Sequence, residues 1–169
     1  MYARNFGALL LLGVVLAGCA SLGALASLQA PRFESASGQN AELRLIGPSL
    51  QNPLGGASIR LYARISNPNP LGITLSTLAG SLALDGTHAA NVELPLGLPL
   101  PAGGDVVIPL DIVVGFANLP ALATVVSNAV SRGDISYNLN GTVGVDAGML
   151  GSPTFGPMQL LQGSVQARR

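Results

Sequence analysis

The ten residues "ASIRLYARIS", Ala57 to Ser66, alternate without a break. Ile59, Leu61, Ala63 and Ile65 fall on one side of an extended chain. Ser58, Arg60, Tyr62, Arg64 and Ser66 fall on the other. A period of two with a single apolar face predicts a half-buried strand whose outer face is polar. Read outward from there, the rest of the chain follows the same rhythm. "GSLALDG" carries it on Leu82 and Leu84, and the switch of parity between Leu75 and Leu78 predicts a bulge or break. "DVVIPLDIVVG" places Val106, Ile108, Leu110, Ile112 and Val114 on one face. Pro109 on the opposite face cannot donate to a ladder, so this strand is expected at an edge.

"GDISYNLNGTVGVDA" contains Asn140-Gly141, usually a hairpin signal. Parity argues against a turn there. Ile135, Tyr137, Leu139, Val143 and Val145 stay in phase through the pair, so one long strand is expected. "PLGLPLPAGG", Pro95 to Gly104, reads as a Pro/Gly loop. "NLPALATVVSNAVSRG" breaks the pattern with a helical stripe of Leu119, Leu122, Val126 and Val130. Asn118 is a plausible N-cap, Pro120 lies in the first turn, Arg132 in the last, and Gly133 marks the stop. Some seven strands, with the helix between the fifth main strand and the sixth, predict a mostly β, two-sheet antiparallel sandwich with one added α-helix.

The N-terminus is read separately. Arg4 precedes an apolar run from Phe6 to Val15, and the run ends in Leu16-Ala17-Gly18-Cys19. This looks like a bacterial lipoprotein signal cut between Gly18 and Cys19, with the thiol of Cys19 carrying a diacylglycerol. Two plainer readings stand beside it: an ordinary secretory signal, and a membrane helix, since no charge occurs between Arg4 and Arg32. On the first reading, 1–18 is the signal peptide, 19–31 a lipidated tether and 32–169 the domain. The protein is then held by its lipid on a membrane of the cell envelope, facing the periplasm or the exterior. The oligomeric state is left open.

Cys19 is the one cysteine, so no disulfide supports the fold. Charged residues make up 9% of the chain and lysine is absent, against the usual quarter. No basic patch exists for nucleic acid. Arg168-Arg169 reads as a solvated tail. Catalysis needs positioned nucleophiles, bases or metals. The single histidine, His88, sits in the turn-like "DGTHAAN" and reads as a solvated loop residue. Asp85, Asp105, Asp134 and Asp146 lie near strand ends and read as turn formers rather than calcium ligands. No catalytic residue, metal site or cofactor is expected.

Between two strands stands "RISNPNPLGITL", with Asn67-Pro68-Asn69-Pro70 at its centre. Proline removes backbone donors, and asparagine side chains hydrogen-bond nearby backbone in their place. A tight, rigid turn is the direct reading. In context the stretch says more. With "LAGSLALDGTHAA", "LPAGGDVVIPLDIVVGF", a single helix and "ISYNLNGTVGVD" following in order, it resembles the late embryogenesis abundant type 2 family. The same unit is called the water stress and hypersensitive response domain. The resemblance covers about Pro31 to Val165. It implies an immunoglobulin- or fibronectin III-like sandwich, no catalytic site, and protection of membranes or client proteins under water stress, with Asn67, Pro68 and Asn69 as a structural motif. Two other readings remain open: a module binding lipid or another apolar ligand in a groove lined by its Leu- and Val-rich strands, and a scaffolding lipoprotein whose edge near Pro109 accepts a partner strand.

Overall fold

The structure is a computed structural model that describes residues 28–50, 53–116 and 120–168. The signal, Gly18, Cys19 and most of the expected tether lie outside the described residues, as do Asn118 and Leu119. Among the described residues eight strands and one helix follow in order: β1 (Arg32–Ser35), β2 (Glu42–Ile46), β3 (Gly56–Ser66), β4 (Ile73–Leu84), β5 (Thr87–Leu100), β6 (Asp105–Gly115), α1 (Pro120–Arg132), β7 (Asp134–Asp146) and β8 (Thr154–Arg168). A short 3-10 turn, Gly148–Leu150, joins the last two strands.

The alternation in Ala57–Ser66 becomes β3, the centre of one layer. β6 pairs along one edge of β3. β1 and β2 share the other edge, at Ser35↔Ala63 and Glu42↔Arg60 respectively. The second layer runs β5-β4-β7-β8 with antiparallel pairing throughout. One feature departs from a purely antiparallel sandwich. β2 pairs with β8 in parallel, Leu43 opposite Ala167, and stitches the layers into one folded-over sheet. Between the layers lies a single core. Ile59, Leu61, Ile65, Leu75, Leu78, Leu82, Leu139 and Val143 are all completely buried. The inward side chains of the Leu- and Val-rich strands fill this core.

The parity break appears as a register shift between Leu75 and Thr77 against both neighbouring strands. Asn140-Gly141 lies inside β7, as phase required, with Gly141 opposite Gly80. A Cβ on Gly141 would collide with the Ala79 carbonyl, so a close backbone approach uses this glycine, not a turn. β6 is an edge strand, and Pro109 sits opposite Tyr62.

Several expectations are corrected. Pro95 to Leu100 is not loop but the second half of β5. That strand is the free edge of its layer, where a proline can turn its missing donor to solvent. His88 also lies in β5, opposite Ala83, and its Nδ1 is 2.9 Å from the Ser81 hydroxyl. The helix falls between the sixth and seventh of eight strands. β8 runs through Thr154–Arg168, so the Arg168 backbone belongs to the sheet, paired with Arg44. Ahead of β1, Leu28 packs against the core and Pro31 is buried.

α1 ends as its sequence predicts. Gly133 takes a φ of 94°, and its N–H donates to Ala129 O at 2.7 Å. Leu122, Val126 and Ala129 are fully buried against the sheet, whereas Val130 is half-buried. No helix among the described residues is long and apolar enough to cross a membrane.

Candidate functional site

Asn67 and Asn69 are the buried polar residues among those described, each 2% exposed. Burying an amide without partners costs about 1–3 kcal/mol per unpaired group. Every polar atom of these two side chains is paired. Asn67 Nδ2 donates to Leu71 O at 2.8 Å and to Pro101 O at 3.0 Å. Asn67 Oδ1 accepts from Asn69 N–H at 3.0 Å and from Asn69 Nδ2 at 2.9 Å. Asn69 Oδ1 accepts from Gln29 N–H at 2.8 Å, and Asn69 Nδ2 donates to Gln29 O at 2.9 Å.

The local sequence explains this arrangement. Pro68, Pro70 and Pro101 bring carbonyls but no N–H groups to one small region. The asparagine amides restore the missing donors. Main-chain bonds complete the closure: Asn67 N–H to Gly104 O at 2.9 Å and Gly103 N–H to Asn69 O at 3.1 Å. Three segments that are far apart in the chain therefore meet here: the segment leading to β1, the β3–β4 turn and the β5–β6 turn. Asn69 holds Gln29 by both main-chain groups, as a β-bridge partner would.

The motif residues were visible in the sequence; their partners were not. Leu71, Pro101, Gly103, Gly104 and Gln29 all contribute backbone atoms, which carry no residue-type signal. From the sequence Gln29 reads as part of the tether. The Pro101-Ala102-Gly103-Gly104 turn was the available hint, because its carbonyls outnumber its N–H groups.

A second polar cluster closes the opposite end. Asp85, in the β4–β5 turn with a φ of 43°, accepts from Ser136 N–H and from the Ser136 hydroxyl, both at 2.9 Å. Its other oxygen takes Arg132 Nη2 from the last turn of α1. Desolvation opposes the charged form, but these three donors outweigh it and hold the Asp85 carboxyl below its ordinary value. On the outer face of β3 and β6, Arg60 grips Asp111 with two bonds, at 2.6 and 3.2 Å, and Arg64 meets Asp105 at 2.8 Å. The Asp111 hydrogen bond and charge raise the Arg60 pKa. Val107 and Val113 are exposed on the same face, separated by Pro109 and Asp111, and make no continuous apolar stripe. A cleft of about 500 Å³ opens at the motif end between Ile73, Leu100, Ala147 and their neighbours. Among the described residues no group of three His, Cys, Asp or Glu side chains stands close enough to hold a metal.

No curated relative matches the chain's sequence. Solved structures do match its fold. The solution structure of an Arabidopsis thaliana protein aligns with a TM-score of 0.59 at 16% identity, covering 85% of this chain and 88% of that one. A second solution structure, of a protein assigned to the late embryogenesis abundant group, gives 0.49 at 18% identity over 84% of this chain and 74% of that one. The sequence model described as "Late embryogenesis abundant protein" matches residues 62–159, from β3 into β8. That match covers more than half of the chain and includes Asn67 and Asn69, and the chain belongs to the late embryogenesis abundant type 2 family.

Proposed function

We propose that this chain is a lipid-anchored, non-catalytic protein of the cell envelope whose folded domain protects labile proteins or membranes during water loss. Family membership supports the protective role. The Leu16-Ala17-Gly18-Cys19 stretch supports anchoring. The observation that carries the non-catalytic reading is the saturation of the conspicuous polar groups. Asn67 and Asn69 spend every donor and acceptor on each other and on main chain. Asp85, Asp105, Asp111 and Asp146 are engaged by Arg132, Arg64, Arg60 and the Gly148 N–H. Such groups stabilise a surface; they are not poised for proton transfer.

The test is paired. A strain lacking the gene should lose survival through drying, and the purified chain from Ala20 onward, without lipid, should preserve the activity of a drying-labile enzyme in the tube. Full survival of the deletion strain, together with no protection by the purified chain, refutes the proposal.

A further inference from the structure

Where the chain enters the domain is fixed by the Asn69–Gln29 pair, and that point shares one end of the sandwich with three turns. Ser66 at the end of β3 pairs with Arg32 at the start of β1 and with Asp105 at the start of β6. Ile73 pairs with Leu100, and Thr74 with Asp146. Residues 67–72, 101–104 and 147–153 therefore form one tip. Not one of those seventeen residues is charged. Within it Met149 is fully exposed, and Pro70 and Ala102 are exposed as well. Arg32, Asp105 and Asp146 stand exposed at the rim.

We infer that this tip is a membrane-facing surface, resting on a bilayer with Met149 at the headgroup boundary. The inference rests on the lipid anchor proposed above for Cys19. Length decides the orientation. Gln29 is ten residue steps after Cys19, so the tether reaches at most about 35 Å when fully extended. β4, with twelve residues, spans about 40 Å at ~3.3 Å per residue. Bringing the opposite end to the membrane requires a tether stretched along the whole domain, at the cost of its conformational freedom. A tether left slack brings the motif tip down instead. An uncharged tip can approach headgroups without desolvating ions, while the charges at its rim, Arg32, Asp105 and Asp146, stay in water. Leu50 and Leu54, exposed in the β2–β3 loop at the other end, are then held away from the lipid.

The full-length lipidated protein in phosphatidylethanolamine/phosphatidylglycerol vesicles with brominated acyl chains tests this. A bimane probe is placed through Met149→Cys in one sample and through Leu50→Cys in another. Both sites are fully exposed, so neither change disturbs the core. The expected result is bromine quenching several-fold stronger at position 149 than at position 50. Equal quenching, or stronger quenching at position 50, overturns the orientation while leaving the anchor intact. Mass spectrometry reads the anchor independently. If Cys19 lacks the diacylglycerol mass and takes up bimane itself, the anchoring proposal fails and the orientation falls with it.

Discussion

The motif end and the helix end of the sandwich each tie distant segments together, but with different chemistry. At the motif end, Asn67 and Asn69 lie 2% exposed and use neutral amides against backbone. At the helix end, Asp85 and Arg132 use charges in half-exposed positions, with Ser136 adding neutral donors. Neutral groups can be buried completely when fully paired. Charges are tolerated near water, where their desolvation cost stays small. The motif end should therefore be rigid and indifferent to pH and salt, and the helix end adjustable by both.

The largest effect comes from placing a charge where the amide was. Asn67→Asp removes the donors to Leu71 O and Pro101 O and sets a carboxylate against those carbonyls. We expect a loss of about 3–5 kcal/mol at neutral pH, as for an uncompensated buried charge. Burial raises the pKa of such an acid, so the defect should shrink as pH falls and the acid becomes neutral. Urea unfolding at two pH values measures this; a defect independent of pH shows that position 67 is wetter than the structure has it. Leu122→Ala, beneath α1, should cost about 3 kcal/mol by leaving a cavity. An unchanged urea midpoint would mean that α1 is not anchored by its apolar face.

Asn69→Ala should cost about 2 kcal/mol through the unpaired Gln29 main chain, with any loss of protective activity following the loss of stability. Activity lost at full stability makes the motif a binding site. Asp85→Asn should cost about 1 kcal/mol or less, because the pair is partly screened by solvent. Its signature is in pH. The folded Asp85 pKa is lowered, so its contribution is complete above the unfolded carboxyl pKa and is lost as pH falls through the folded value. The variant should lack that acid-side slope and the accompanying salt dependence; identical acid titrations of the two proteins contradict it. The exposed Arg60–Asp111 pair should matter least, and Arg60→Ala should leave the unfolding midpoint within error.

The sequence was most legible where one rule acted alone. Period-two alternation placed β3, and continuity of phase carried β7 through Asn140-Gly141 against the usual meaning of that pair. The Leu75–Leu78 parity switch marked a true register shift. Legibility failed where context reversed a local signal. Prolines 95 and 99 read as loop, yet they occupy a free edge that tolerates them. β8 was hidden by Gly156, Pro157 and Gly163 and by two register shifts against β7. Its parallel pairing with β2 joins residues more than a hundred positions apart, which no local pattern encodes. The motif was legible as residue types. Its function as a clip on Gln29 was not, because the partner contributes only backbone.

The central claim is that Asn69 clips the incoming chain to the family motif through the Gln29 main chain. Amide hydrogen exchange at Gln29, followed by NMR on the chain from Ala20 onward, measures that contact directly. The account predicts clear protection at Gln29 in the parent protein. In Asn69→Ala, Gln29 should exchange at the rate of an unstructured peptide while β3 and β7 amides stay protected. Unprotected exchange at Gln29 in the parent, or protection unchanged by the substitution, contradicts it.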